Sequence, residues 1–297
     1  MATRDALGDR MKQNYENITR NYLTRRVPAI IRLDGKAFHT FTKGMRKPFD
    51  DVLTKTMQDT MKYLCEHIQG CVLGYTQSDE ITLVLTDYAT IKTDAWYGYN
   101  VLKMTSVAAS MATLAFNQNF PVNVDTWCNQ AVRTAKGCQE INKTEGLFNT
   151  YASRTNKALF DARVFSVPKD EVCNCLIWRQ QDATRNSEVC NCLIWRQQDA
   201  TRNSIEAVGQ AFFSQKELHK KTQSDIQEML WSKFGVNWNN FPTENKRGSC
   251  CIKQAAQAEI DDPRNPGQKI TVTRKRWEID TEIPIFTQDR AYIEKLL

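Results

Sequence analysis

Two apolar stretches of the sequence each end in a carboxylate, and the two carboxylates could hold divalent metal ions. The first stretch covers residues 28–33 and is followed by Asp34 and Gly35. The second, residues 71–75, leads into a polar corner that contains Asp79. If the stretches are neighbouring strands, the two aspartates can share a pair of Mg²⁺ ions, which usually take one or two carboxylates plus phosphate oxygens and water. Such a pair suits a phosphoryl-transfer site.

Groups that could bind phosphate flank this pair. Gly35 lets a metal ion or a phosphate approach the backbone closely. The backbone amides that follow could cradle a triphosphate; they belong to Lys36, Ala37, Phe38 and His39. We expect the Phe38 side chain itself to lie in the core. Ser78 could hydrogen-bond a phosphate or cap the corner. Glu80 should point away from the face of Asp79, where it would ligate indirectly or pair with a base.

Apolar residues around these corners recur at the spacings of helices and strands. From Asp50 or Asp51, either of which can cap a helix, an apolar stripe recurs every three or four residues up to Gly70. The sequence predicts a second long helix over residues 94–117 and an alternating fourth strand over residues 162–167. The order is therefore strand-helix-strand-strand-helix-strand.

This order predicts an α+β fold, the ferredoxin-like βαββαβ unit, with helices on one face of an antiparallel sheet. It is also the palm of nucleotidyl-transferring polymerases and nucleotide cyclases, whose metal carboxylates lie at the end of strand one and at the hairpin of strands two and three. We assign residues 1–168 to a palm catalytic domain, with an insertion at residues 118–157 that holds one short helix. Residues 169–297 should add helices and a C-terminal β extension, with strands at residues 250–252 and 270–277.

A tandem repeat lies in the second part of the chain. Residues 171–187 read EVCNCLIWRQQDATRNS, and residues 188–204 repeat them letter for letter. In one unbroken helix the second copy would be turned by roughly 260° from the first, so only one copy can present its Trp-Arg-Gln face to the sheet. Asn186 or Ser187 can cap a helix that begins at Glu188. We therefore expect the second copy to form the packed helix and the first to be an excursion.

The bulk composition is that of a globular protein. Apolar residues make up 41% and charged residues 25% of the 297 residues, and the net charge is +6. No apolar run is long enough to span a membrane and no secretory signal is evident, so we expect a cytoplasmic protein. The mild positive charge permits a phosphate-bearing partner. The 10 cysteines include no Cys-x-x-Cys pair, which favours reduced, mostly buried thiols over a structural zinc.

Four motifs follow one another along the chain. They are Arg32-Leu33-Asp34-Gly35 with Phe38, His39 and Phe41; Gly74-Tyr75 with Gln77-Ser78-Asp79-Glu80; Trp195-Arg196-Gln197 with Asp199, or the same residues of the first copy; and Asn237 and Asn239-Asn240 with Lys246-Arg247-Gly248. Their combination and order resemble the tRNA-histidine guanylyltransferase family over most of residues 5–290. Asp-Gly alone would be a weak signal, but together with Gln-Ser-Asp-Glu and Trp-Arg-Gln it is specific.

The resemblance implies addition of nucleotides to the 5′ end of tRNA, opposite in direction to ordinary polymerases. ATP would activate a 5′-monophosphate, and the 3′-hydroxyl of an incoming nucleotide such as GTP would then attack it. Asp34 and Asp79 would bridge two Mg²⁺ ions, with the Gly35 carbonyl as a further ligand and Glu80 as a third catalytic carboxylate of lower rank. The family resemblance also implies a homotetramer.

The resemblance extends to residues outside the metal pair. Lys103 matches a family lysine that could reach the phosphates of a second nucleotide. Arg196 and Asn203 are seven residues apart and so share a helical face, from which they could hold the tRNA 5′ end. Eukaryotic-type members carry a His-Ile-Asn-Asn-Leu-Tyr run where residues 201–206 read TRNSIE. Only the asparagine matches, so the chain looks like the bacterial, archaeal and phage branch, whose family activity is template-dependent repair of 5′-truncated tRNAs.

The sequence is therefore compatible with four functional hypotheses. The leading one is 5′-end repair of tRNA, and the second is addition of the extra 5′ guanosine to tRNA-histidine. A palm-type nucleotide cyclase would share the carboxylate geometry but would form a cyclic product without RNA. An RNA-binding palm made inactive by the duplication would bind tRNA without adding nucleotides.

Overall fold

The computed structural model describes residues 5–134, 138–182, 205, 208–218, 221–261 and 269–297. The strands of its sheet are β1 (Ala29–Gly35), β2 (Cys71–Gln77), β3 (Glu80–Leu85), β4 (Phe160–Ser166), β5 (Ser249–Asp261) and β6 (Lys269–Asp280). Helices of the first part are α1 (Ala6–Met11), α2 (Phe38–Phe41), α3 (Asp51–His67), α4 (Val101–Thr134) and α5 (Cys138–Ala152). Helices of the second part are α6 (Lys169–Asp182), α7 (Gln215–Leu218), α8 (Gln223–Phe234), α9 (Thr243–Arg247) and α10 (Ala291–Glu294).

The strands lie side by side in the order β4-β1-β3-β2-β5-β6, and every neighbouring pair is antiparallel. The first four strands have the order and connections of the ferredoxin-like unit, so the predicted α+β fold is confirmed. Ile30, Ile31 and Leu33 of β1 are all fully buried, although they point alternately to the two faces. Both faces of the central sheet are therefore covered.

Helices α3 and α4 cover one face of the sheet. The predicted apolar stripe of α3 is buried, with Met57, Met61 and Leu64 at most 1% exposed. Asp50 caps α3 by accepting a hydrogen bond from the Leu53 amide, as its position before the stripe predicted. This packed layer fixes where the ends of β1 and β3 lie relative to each other.

The prediction for the insertion at residues 118–157 was wrong. Helix α4 continues through this region with Pro121 inside it, and α5 follows as a second long helix. Proline normally breaks a helix because it lacks an N–H group and crowds the preceding turn. Here Phe120 and Val124 on either side of Pro121 are buried in the core, and this packing keeps the helix continuous.

The first copy of the repeat forms the helix on the opposite face of the sheet, which contradicts the expectation that it is an excursion. Helix α6 carries Val172 and Leu176 into a core that also contains Ile30 and Val84 from the sheet. Both helical residues are fully buried. The Leu-Ile-Trp run of the first copy, awkward in an exposed loop, is instead part of this packing layer.

The second copy, residues 188–204, lies outside the described residues, as do the caps proposed at Asn186 and Ser187. Among the cysteines whose side chains are described, all are free thiols and most are buried, in agreement with the expectation from their spacing.

Strands β5 and β6 form a hairpin that is longer than predicted. β5 pairs with β2 only through residues 249–252, whereas its pairing with β6 continues to Asp261. Beyond residue 252, the two strands pair with each other alone within the described part of the chain. After β6 the chain returns to the sheet, where Ile283 and Phe286 are fully buried beside α6.

Candidate active site

Three antiparallel strands bring carboxylates to one edge of the sheet. Asp34 is the register partner of Glu80 at the start of β3 and of Asp161 in β4. Since partners in antiparallel strands point to the same face, these three carboxylates form a row. Asp79 occupies the corner before β3, and its carbonyl accepts a hydrogen bond of 3.0 Å from the Gly35 amide. The corner is thus tied to the end of β1, as the metal-pair hypothesis requires.

The electrostatics of this edge disfavour two negative charges in the absence of a cation. Burial raises the pKa of Asp34, and the charge of Asp161 raises it further. Burial also raises the pKa of Asp79, and the charge of Asp34 is the next cause. The ion pairs found along the described part of the chain involve neither Asp34 nor Asp79. Two neighbouring carboxylates without a basic partner suit a divalent cation.

Glu80 differs from Asp34 and Asp79 because it forms ion pairs with two arginines. Arg32 Nη2 lies 2.9 Å from Oε1 of Glu80, and the guanidinium of Arg179 contacts Oε2. Both carboxylate oxygens are therefore engaged, and the reading of Glu80 as the partner of a base is the one that the structure supports. The arrangement leaves Asp34 and Asp79 as the carboxylates open to a ligand.

Gly35 is needed for close packing on the edge. A Cβ atom on Gly35 would lie 2.4 Å from Cδ2 of Phe38. The Phe38 ring is 3% exposed and packs against Phe41, Phe116 and Phe160. The expectation that this side chain belongs to the core is confirmed, and it occupies the space that Gly35 leaves open.

The proposed cradle of four amides has to be corrected at one position. The Lys36 amide donates to the carbonyl of Leu159 at 2.8 Å, so it is already engaged. Ala37 has a positive φ of 55° and directly precedes the short helix α2. The first N–H groups of a helix have no partner within it, which keeps Phe38 and His39 as candidate phosphate donors. The charge of His39 also acts to lower the pKa of Asp79, which places the imidazole near the aspartate pair.

Ser78 supports the corner itself. Its φ is 53°, and its hydroxyl donates to Oδ1 of Asp79 at 3.1 Å. This bond orients the Asp79 carboxylate and corresponds to the capping role, one of the two roles considered for Ser78. Contact between Ser78 and a phosphate stays a prediction.

Lys103 lies in the first turn of α4. Its amide donates to Oδ1 of Asn100 at 3.0 Å, and its Nζ lies 5.9 Å from the ring centre of Tyr97. Contact between Lys103 and the phosphates of a second nucleotide stays a prediction. Arg196 and Asn203 lie outside the described residues.

Sequence reasoning missed Arg32 and Arg179 as members of the site. Alternation along β1 was a usable signal for Arg32, because it stands two residues before Asp34 and so shares its face. For Arg179 the sequence carried the right motif but assigned it to the other copy, at Arg196. Choosing between identical copies requires knowledge of the tertiary contacts.

The residues present fit a Mg²⁺ ion that is bound jointly by the protein and a substrate, but not one that is bound by protein ligands alone. No group of three or more His, Cys, Asp or Glu side chains within the described ranges is arranged to enclose a metal. Mg²⁺ characteristically keeps several waters and binds through one or two carboxylates together with phosphates of a substrate. Asp34 and Asp79, with the Gly35 carbonyl nearby, offer that type of incomplete shell.

The palm fold and the aspartate pair at its edge define a nucleotidyltransferase. The chain belongs to the tRNA(His) guanylyltransferase family: the family model for tRNAHis guanylyltransferase matches residues 8–168, and that for the Thg1 C terminal domain matches residues 170–289. The tRNA(His) guanylyltransferase of Schizosaccharomyces pombe is 28% identical over 294 residues, which is 96% of each chain.

Solved bacterial structures agree with this assignment. A bacterial tRNA(His) guanylyltransferase-like protein in complex with ATP is 36% identical, covers 98% of both chains and superimposes with a TM-score of 0.70. The corresponding complex with GTP is 35% identical, covers 98% of this chain and 99% of the other, and has a TM-score of 0.67. None of the helices in the described ranges combines the length and apolar character needed to cross a bilayer.

Proposed function

We propose that this protein adds nucleotides to the 5′ end of truncated tRNAs in the 3′–5′ direction, with the opposite strand as template. The observation that carries the proposal is the Asp34–Asp79 pair at the palm edge: in the described part of the chain neither aspartate forms an ion pair, while two arginines neutralise the adjacent Glu80. The bacterial relatives were solved in complex with ATP and with GTP, which supports nucleotides of these types as substrates.

The proposed reaction has two displacements at phosphorus. In the first, an oxygen of the tRNA 5′-monophosphate attacks the α-phosphorus of ATP, and pyrophosphate leaves. In the second, the 3′-hydroxyl of the incoming nucleoside triphosphate attacks the activated 5′ phosphorus, and AMP leaves. The product carries a new 5′-triphosphate. Both steps depend on positioning and on neutralising the charge that develops on phosphate oxygens.

The residues of the edge have separate roles in this proposal. Asp34 and Asp79 would hold the metal ions, and bound Mg²⁺ would supply activation of the attacking oxygen and stabilisation of the leaving group. The amides of Phe38 and His39 would hold phosphate oxygens of the nucleotide. Ser78 keeps the Asp79 carboxylate oriented through its hydrogen bond.

Addition of the extra guanosine to tRNA-histidine is the second candidate function. It is favoured by relatives such as the S. pombe protein, a tRNA(His) guanylyltransferase. It is opposed by the sequence TRNSIE at residues 201–206, where a family run used by eukaryotic-type members is absent. The basic clusters of the surface, including residues 43–47, would contribute salt-dependent affinity for tRNA in either case.

Template choice separates the two functions. Transcripts that lack their first nucleotide, carry a labelled 5′-monophosphate and present each of the four bases opposite the gap are incubated with ATP and all four nucleoside triphosphates. Repair predicts that the added nucleotide changes with the opposing base and that several tRNAs are accepted. Addition of guanosine alone, to tRNA-histidine alone, would overturn the proposal in favour of the second candidate. A cyclic product formed without RNA would instead indicate a cyclase.

The family resemblance also leads us to propose a homotetramer, which light scattering of the purified chain would test.

A further inference from the structure

Glu80 is held from two sides by arginines on different elements, one buried and one partly buried. Arg32 comes from β1 and lies 2.9 Å from one carboxylate oxygen, while Arg179 comes from α6 and contacts the other. The side chain of Arg179 is only 2% exposed, and those of Arg32 and Glu80 are 18% and 19% exposed. A charge buried to this degree is tolerated only when its partners are well placed, so the three side chains constrain one another. We refer to Arg32, Glu80 and Arg179 as the arginine clamp.

The neighbours of Arg179 in the first repeat copy hold the clamp in place. The guanidinium carbon of Arg179 lies 4.7 Å from the ring centre of Trp178, and that of Arg32 lies 5.7 Å from the same ring. Gln180 accepts a hydrogen bond from the Phe286 amide at 3.0 Å, which fixes the end of α6 to the returning C-terminal tail. The Trp-Arg-Gln run of the first copy therefore packs against the sheet and forms ion pairs there.

The clamp is linked directly to the corner that carries Asp79. Glu80 follows Asp79 in the chain and starts β3. The Thr76 hydroxyl donates to the Glu80 carbonyl at 2.8 Å, and the Gly35 amide donates to the Asp79 carbonyl at 3.0 Å. Fixing the side chain of Glu80 on one face of β3 therefore limits how the preceding residue can turn. The Ser78 hydroxyl, which donates to Oδ1 of Asp79 at 3.1 Å, orients the carboxylate at this corner.

We propose that Arg179 of the first repeat copy is a positioning residue for the metal pair. It acts through Glu80: by holding that carboxylate together with Arg32, it sets the orientation of the Asp79 corner. The proposal rests on the proposed function in so far as it takes Asp34 and Asp79 to be the metal ligands. It assigns the two identical repeat copies different roles.

The tandem repeat supplies a matched control for this proposal. Arg179 and Arg196 lie at the same position of identical sequences, so Arg179→Gln and Arg196→Gln make the same chemical change in the same local sequence. Mn²⁺ serves as the probe of the metal pair, and its binding to the purified full-length chain is followed by electron paramagnetic resonance without tRNA or nucleotide. Nucleotide addition is measured in parallel as a function of Mg²⁺ concentration.

We expect Arg179→Gln to weaken Mn²⁺ binding by about 10–100-fold, the usual effect of removing a group that orients a metal ligand. The Mg²⁺ concentration that gives half-maximal activity should rise in proportion, and the KM for tRNA should stay near that of the unmodified chain. Arg196→Gln should bind Mn²⁺ as the unmodified chain does. Loss of a positive charge near the site would by itself tighten Mn²⁺ binding, because it removes repulsion between the arginine and the cation. Weakened binding would therefore indicate that the Asp79 carboxylate has lost its orientation.

Unchanged or tightened Mn²⁺ binding in folded Arg179→Gln would overturn the proposal, and so would an equal loss in Arg196→Gln. If Arg179→Gln does not fold, Arg179→Lys replaces it, because lysine keeps the charge but cannot reproduce the two-sided contact with a planar group. A folded Arg179→Lys chain that binds Mn²⁺ normally would equally refute the role. Failure of the proposed function is distinguishable: the unmodified chain would bind Mn²⁺ but add nucleotides to no tRNA.

Discussion

Asp34 and Glu80 are register partners on adjacent strands, yet of the two only Glu80 forms ion pairs with arginines of the described residues. The sheet thus places two carboxylates side by side in different surroundings: Arg32 and Arg179 bind Glu80, whereas burial and the charge of Asp161 raise the pKa of Asp34. One is neutralised and becomes part of the scaffold. The other, together with Asp79, stays available to a cation and to the phosphates that the cation would bring.

Replacing Asp79 should remove catalysis without removing RNA binding. In Asp79→Ala the corner loses its carboxylate, so nucleotide addition to truncated tRNA should fall at least about 100-fold, a loss typical of deleting one group that stabilises the developing charge. Affinity for tRNA, measured by filter binding, should change little because it comes mainly from basic surfaces. Asp94→Asn is a suitable control, since that side chain is 87% exposed and remote from the edge. Persistent activity in Asp79→Ala would exclude the aspartate pair as the metal site.

The raised pKa of Asp34 predicts that, without metal, the aspartate pair lowers the folding stability by an amount that depends on pH. The pKa of Asp34 is raised above the ordinary value of 3.8, so its contribution to folding stability is full below that value and is lost as the pH rises through the folded-state pKa. Asp34→Asn should therefore melt at a higher temperature than the unmodified chain at neutral pH in the presence of EDTA. The difference should shrink towards pH 4.

Added Mg²⁺ should reverse this order in part. At neutral pH it should raise the melting temperature of the unmodified chain and have little effect on Asp34→Asn, because only the former retains both carboxylates. Differential scanning calorimetry at several pH values measures both effects. A larger Mg²⁺ response in the variant than in the unmodified chain would contradict the assignment of Asp34 as a ligand.

Gly35 should tolerate no side chain. The Cβ atom of Gly35→Ala would lie 2.4 Å from the Phe38 ring, which is itself locked among other aromatic rings. We expect a loss of about 1–3 kcal/mol in the free energy of unfolding, measured with urea, as for other overpacked cores. Gly146→Ala is the matched control: it lies within helix α5 with no atom within 4 Å of the new Cβ, and it should stabilise by up to about 1 kcal/mol. Equal behaviour of the two variants would contradict the packing role of Gly35.

A chain with a single repeat copy should fold and remain active. Removing residues 171–187 or residues 188–204 produces one and the same sequence, because the copies are identical and adjacent. The remaining copy still follows Asp170 and can form α6 with every contact of the clamp. Shortening the connection that follows should change the free energy of unfolding by only about 1 kcal/mol. Circular dichroism melting and the truncated-tRNA assay test this, and loss of cooperative unfolding would show that the second copy has a structural role of its own.

The palm was predictable because its signals are local. Alternating apolar residues marked the strands, and the stripe with its cap at Asp50 marked α3. The continuation of α4 was not predictable from local signals, since Pro121 argues for a helix end and only the burial of Phe120 and Val124 overrides it. The choice between repeat copies also depends on tertiary contacts, which differ for two segments of identical sequence.

The aspartate pair was predicted from the two strand ends, but the state of its surroundings was not. Nothing in the local sequence indicates that Arg179, far along the chain, neutralises Glu80.

The long hairpin of β5 and β6 has a consequence for how the molecule opens. Its root is hydrogen-bonded to β2 at residues 249–252, but its outer part pairs only within itself among the described residues. Amide protons of the outer part should therefore exchange with solvent through local fraying, while those at the root exchange only when the whole sheet opens. The hairpin can unzip down to residue 252 and close again while the strands that hold Asp34 and Asp79 stay protected.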